Sequence, residues 1–71
     1  MAEEVRAHIT GVVFQVVVNV GERVAAGDPI VILESMKMEI PVEAHRAGVI
    51  QTLKVSEGQT VQEGDVVALL E

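Results

Sequence analysis

Glu34-Ser35-Met36-Lys37-Met38-Glu39 sets one lysine between two methionines and encloses the three between carboxylates. A lysine amine does chemistry in one of two ways. As a catalyst it must be activated by burial or by a neighbouring cation. As a substrate for acylation it needs only exposure, with the activated acyl group and the proton acceptor coming from another protein. Lys37 has Glu34 and Glu39 for neighbours and no cation within the motif, so it fits the second role. The methionines are the unusual part. Burying a methionine is worth about 1.5–3 kcal/mol, most of which an exposed tip forfeits; Met36 and Met38 therefore either pack back locally or serve a partner. Lys54 provides the contrast: it falls inside an apolar stretch, opposite Val17 in the pairing described next, as an ordinary surface charge.

The elements that must position Lys37 are visible as a repeat. Residues 5–34 align without a gap on residues 42–71 at an offset of 37, and twelve of the thirty pairs are identical. The shared frame is Gly-Val-x(5)-Val-x-x-Gly-x-x-Val-x-x-Gly-Asp-x(4)-Leu-Glu. Only Ser35–Pro41 lies between the copies, and Lys37 sits inside it. Two copies of a unit too small to close a core alone imply a duplicated fold with a pseudo-twofold axis near the connector. The whole chain, 1–71, is expected to be one domain, with 35–41 as an exposed hairpin.

With 71 residues the chain is small enough that folding buries only about 60% of its unfolded surface. Five Lys and Arg stand against eleven Asp and Glu, a net charge of −6. Nucleic acids and anionic membranes call for basic faces, so this balance disfavours both. Phe14 is the sole aromatic residue, which removes base-stacking platforms. There is no cysteine, and the longest apolar runs, Val16–Val18 and Ile30–Leu33, are far too short to span a bilayer. Met1-Ala2-Glu3-Glu4 lacks the basic start of a signal peptide. The expectation is a soluble, cytoplasmic protein.

Val, Ile and Leu dominate the apolar content, and glycine recurs at short intervals, which is an all-β pattern. Pro29 and Pro41 oppose helix around the connector. Strands are expected at Val5–Ile9, Val12–Val18, Arg23–Val24, Ile30–Glu34, Glu39–Glu43, Val49–Val55, Thr60–Val61 and Val66–Leu70. In the second copy Val49, Ile50, Leu53 and Val55 are apolar while Gln51, Thr52 and Lys54 are polar, which predicts a bulge in mid-strand. Eight short strands in two equivalent sets form a small sandwich or flattened barrel.

The copies also differ in an informative way. Phe14, Val17, Val20, Ala25 and Ala26 stand where the second copy has Gln51, Lys54, Glu57, Gln62 and Glu63. Positions that accept Lys and Glu in one half face solvent in both, so Phe14, Val17 and Val20 are candidates for a docking or self-association face, set against the plain alternative of scattered exposed apolar residues. His8 and His45 are equivalent and could approach one another, but no ligand spacing supports a metal.

The tip motif between two matching β copies resembles the biotinyl domain of biotin-dependent carboxylases, within the wider biotinyl/lipoyl carrier family. The resemblance runs from Val5 to Glu71; the start at Met1 and the compact length are similar to stand-alone attachment proteins. The gapless offset leaves no room for the protruding loop of some bacterial acetyl-CoA carboxylase carriers. The resemblance implies a flattened barrel of two four-stranded antiparallel sheets with the lysine on an exposed hairpin. It implies that a biotin protein ligase acylates Lys37 through biotinyl-adenylate. The ureido nitrogen of the attached biotin then takes carboxylate at a biotin carboxylase and delivers it at a carboxyltransferase, the carrier itself being non-catalytic. By the same resemblance Met36 and Met38 serve recognition and transfer, with Glu34 and Ser35 completing the motif. Two alternatives stay open: lipoate on the same lysine, although lipoyl motifs usually carry Asp before it and Ala after it, and an unmodified β interaction module.

Overall fold

The computed structural model describes residues 2–71. Its eight strands are β1 (Glu3–Arg6), β2 (Gly11–Val16), β3 (Arg23–Val24), β4 (Pro29–Ser35), β5 (Met38–Glu43), β6 (Gly48–Leu53), β7 (Thr60–Val61) and β8 (Val66–Leu70). They form two four-stranded antiparallel sheets, in the orders β1-β8-β6-β3 and β5-β4-β2-β7. Adding 37 to each residue number carries the first sheet's strands from copy one onto the second sheet's strands from copy two, and each sheet takes two strands from each copy. Each copy pairs two of its own strands, β2 with β4 and β6 with β8, but neither completes a four-stranded sheet without the other. The all-β flattened barrel with internal pseudo-twofold symmetry is as expected.

Loop hydrogen bonds repeat the symmetry across the copies. The Gly27 N–H donates to Ala44 O and the Gly64 N–H to Ala7 O, both at 2.8 Å; the Gly21 N–H donates to Ile50 O and the Gly58 N–H to Val13 O, again at 2.8 Å. Each turn of one half is thus fastened to the backbone of the other. Gly21 and Gly58 hold φ values of 91° and 90°, which an L side chain rarely adopts.

Inward-facing Val13, Ile30, Val31, Leu33, Ile50 and Leu70 are essentially fully buried, and no polar or charged residue among the described residues is buried. The bulge expected in the second copy is present in β6, between Ile50 and Thr52, and its counterpart in β2 lies between Val13 and Gln15. Pro41 is tolerated because β5 is an edge strand, and Pro29 because it opens β4.

Several strand limits differ from the expectation. The first strand runs Glu3–Arg6 instead of Val5–Ile9, because Ala7 turns to the opposite copy, its N–H donating to Asp65 O at 2.8 Å. The second and sixth begin one residue early, at Gly11 and Gly48, and end two early, at Val16 and Leu53. The fourth and fifth extend toward each other, to Ser35 and Met38. The expected 35–41 hairpin thereby contracts to a two-residue turn.

Candidate functional site

Buried Leu33 and Val42 anchor the β4–β5 ladder, where Leu33 pairs with Ile40 and Val31 with Val42. Above them Glu34 pairs with Glu39 and Ser35 with Met38, and Met36-Lys37 closes the hairpin. Both turn residues have positive φ, 53° and 64°, the sign pattern of a type I′ turn. Asparagine and glycine normally fill such positions, since left-handed backbone costs other residues about 1–2 kcal/mol each. The turn chemistry thus runs against the local preference and is held by the ladder beneath it.

Met36 is 91% exposed and Met38 60% exposed, so neither packs back on the domain. Lys37 and Glu34 are exposed and Ser35 is half-buried. Among the described residues no carboxylate comes within ion-pair distance of the Lys37 amine. Glu34 and Glu39 instead face each other directly across the ladder, both exposed, an opposition that costs stability. That pairing was not readable from spacing alone, because it depends on the turn having two residues. What the tip does chemically is present an exposed primary amine at the end of a paired ladder, with two exposed thioether side chains beside it.

The candidate docking residues do not share one face. Val17 is half-buried and packs against the core. Val20 is 61% exposed, but on the 19–22 turn, whose Gly21 is bonded to Ile50 of the other sheet. Phe14 is 50% exposed on β2, beside the 56–59 turn, where the Glu57 carboxylate accepts from the Val16 N–H at 3.1 Å. The three are thus divided between the outer face of β2, the core and a turn fastened to the opposite sheet. Lys54 is exposed, as expected.

His45 is engaged with Glu3, its Nε2 lying 3.1 Å from the carboxylate, and not with His8. Arg46 also donates to Glu3, and to the carbonyls of Ala47 at 2.8 Å and Leu70 at 3.2 Å. The hydrogen bond from His45, and after it that from Arg46, holds the Glu3 carboxyl below the ordinary glutamate value. Sequence reasoning missed this cluster; its signal was Arg46 standing where the first copy has Ile9. No grouping of three metal-ligating side chains occurs among the described residues.

A fold of this kind with an exposed Met-Lys-Met turn matches a known class. The family described as "Biotin-requiring enzyme" matches residues 2–70, and the chain belongs to it. The biotinylated protein TB7.3 of Mycobacterium tuberculosis is 62% identical over 42 residues, 59% of this chain and 59% of that protein. Its homolog in Mycolicibacterium smegmatis is 60% identical over 42 residues with the same shares, so the matched stretch spans less than two thirds of either relative. Among solved structures, Kluyveromyces lactis urea carboxylase matches with a TM-score of 0.94 at 35% identity, covering 100% of this chain and 6% of that one. A single-chain, multi-domain long-chain acyl-CoA carboxylase matches at 0.89 with 32% identity, covering 96% and 7%.

Proposed function

We propose that the protein is a biotin carboxyl carrier, with biotin held in amide linkage on Lys37. The observation that carries this reading is the solvent-projected Lys37 amine, unpaired among the described residues, between two exposed methionines in a domain of the biotin-requiring family. The residues fit the group: an amide needs an unhindered amine, and the turn leaves it free on all outer sides. Held there, biotin supplies a ureido nitrogen that accepts and releases a carboxyl group.

The chain's own part is positional. In a biotin protein ligase the Lys37 amine gives up a proton to a base of that enzyme and displaces the nucleotide from the activated biotin carboxyl. One C–N bond forms and one acyl–oxygen bond breaks. Met36 and Met38, polarizable and unbranched, adapt their thioethers to the different surfaces that the tip must enter. The rigid β4–β5 ladder keeps the long side chain clear of the domain. The remaining partners are a biotin carboxylase and a carboxyltransferase, reached by diffusion or tethering, in the cytoplasm.

The experiment is incubation with a biotin protein ligase, ATP, Mg²⁺ and biotin, read by intact mass. The protein gains one biotin and Lys37→Arg gains none. A biotin on Lys54, or on Lys37→Arg, contradicts the assignment. Addition of lipoate by a lipoyl ligase, with biotin refused, would favour the lipoyl carrier instead.

A further inference from the structure

The outer face of the hairpin sheet carries apolar side chains and carboxylates, with Gln15 and Thr60 as its neutral polar members. Val12 and Phe14 on β2 are 40% and 50% exposed, while their neighbour Val13 is buried. On β4 the half-buried Ile32 pairs with exposed Pro41 on β5, and it pairs also with Gln15, next to the bulged Phe14. Val12 pairs with Glu34, and Glu34 with Glu39. Val12, Phe14, Ile32 and Pro41 therefore lie on one face, with Glu34 and Glu39 in the row of Val12, one row nearer the tip than Ile32 and Pro41, and Glu43 at the edge. No Lys or Arg occupies an outward position on this face.

The internal repeat supplies a control. The corresponding outward positions of the other sheet hold Val49, Gln51, Leu69 and Glu4, with Arg6 and Arg23 nearby on β1 and β3. The same backbone thus accepts Gln where Phe14 stands and Glu where Pro41 stands. Neither the aromatic ring nor the uniform acidity is required by the fold, and the opposed Glu34 and Glu39 act against it.

We infer that this face is the docking surface for the ligase that loads Lys37, a protein presenting an apolar centre rimmed by basic side chains. The inference rests on the carrier reading above. Acylation forms a bond at the Lys37 amine itself, so the loading enzyme must close around the tip. A carboxylase works at the far end of the attached arm and is under no such constraint. Pro41 lies four residues from Lys37, about 13 Å along the strand, and a standard interface of about 800 Å² per partner reaches about 16 Å from its centre. A ligase seated on Lys37 therefore covers Glu34, Glu39, Ile32 and Pro41, and its margin reaches Phe14, two strands across from Pro41.

The test compares wild type, Phe14→Gln, Glu34→Gln with Glu39→Gln, and Val20→Glu. Each variant's fold is checked by its melting curve; Phe14→Gln and Val20→Glu use side chains of the kind found in the second copy. Loading kinetics are measured with a biotin protein ligase over a range of salt, and binding with Lys37→Arg carriers that cannot be acylated. Phe14→Gln raises KM at least tenfold with kcat unchanged, as loss of a contact made equally before and during reaction requires, and weakens binding to the same degree. The double Gln variant melts higher yet loses most of the salt dependence of KM. Val20→Glu matches wild type. Equal KM for Phe14→Gln and wild type overturns the docking face while leaving the carrier reading intact, as does an equal effect of Val20→Glu. Failure of the wild type to be biotinylated overturns both.

Discussion

Met36 and Lys37 hold left-handed backbone that neither side chain favours, and Met36 is 91% exposed. Replacing Met36 by a residue at ease there should stabilise the fold, since little packing is lost. Met36→Asn is expected to raise stability by about 1 kcal/mol, about 4–8 °C in melting temperature for a domain of this size. The same variant should be loaded more slowly by the ligase. Stability and loading moving in opposite directions would show that the methionine is kept for a partner; an unchanged or lower melting temperature would contradict the account of the turn. Lys37 and its flanking residues were legible because their types are odd for a connector. Their conformation was not: neither Asn nor Gly marks the turn, and strand residues reach Ser35 and Met38 through ladder pairing that no local pattern encodes.

Between copies, pairing governs the elements. Gly11 packs so that an added Cβ would lie 2.8 Å from Glu34 O, and Gly48, its equivalent, 2.5 Å from Glu71 O. Both glycines are therefore needed for close approach to the backbone at the shared frame's final Glu, since backbone oxygen cannot rotate away. Gly11→Ala is expected to cost about 1–3 kcal/mol, measured by urea denaturation; a loss within error would mean that β2 and β4 slide apart freely. The repeat made the element order and the β6 bulge legible, because each copy serves as a check on the other. It did not disclose that every sheet mixes strands from both copies, nor that Val17 is drawn against the core while Val20 rides on a turn of the other side. Those outcomes depend on how the halves interlock, which residue type at an equivalent position does not specify.

Over the whole molecule, the accessible surface is 4236 Å², close to the value of about 4,300 Å² that scaling gives for this mass. The described chain is thus compact without a partner, in an elongated body of 33 × 17 × 17 Å. Its acidity couples to stability in two places: the Glu34–Glu39 opposition acts against the fold, and the Glu3 cluster supports it. Because the folded-state value of Glu3 is lowered, its contribution is present above the ordinary value of 4.5 and is lost as pH falls through the lower folded-state value. Glu3→Gln should therefore unfold at lower urea than wild type at neutral pH, and the gap should close well below pH 4.5; a gap that persists in acid would refute the coupling. The carrier role turns on one amine, whose state is read by the intact mass and peptide map of the protein purified from its native host. A single biotin mass, located on Lys37, is expected. A fully unmodified chain that a biotin protein ligase also refuses, or an adduct on any other residue, would contradict it.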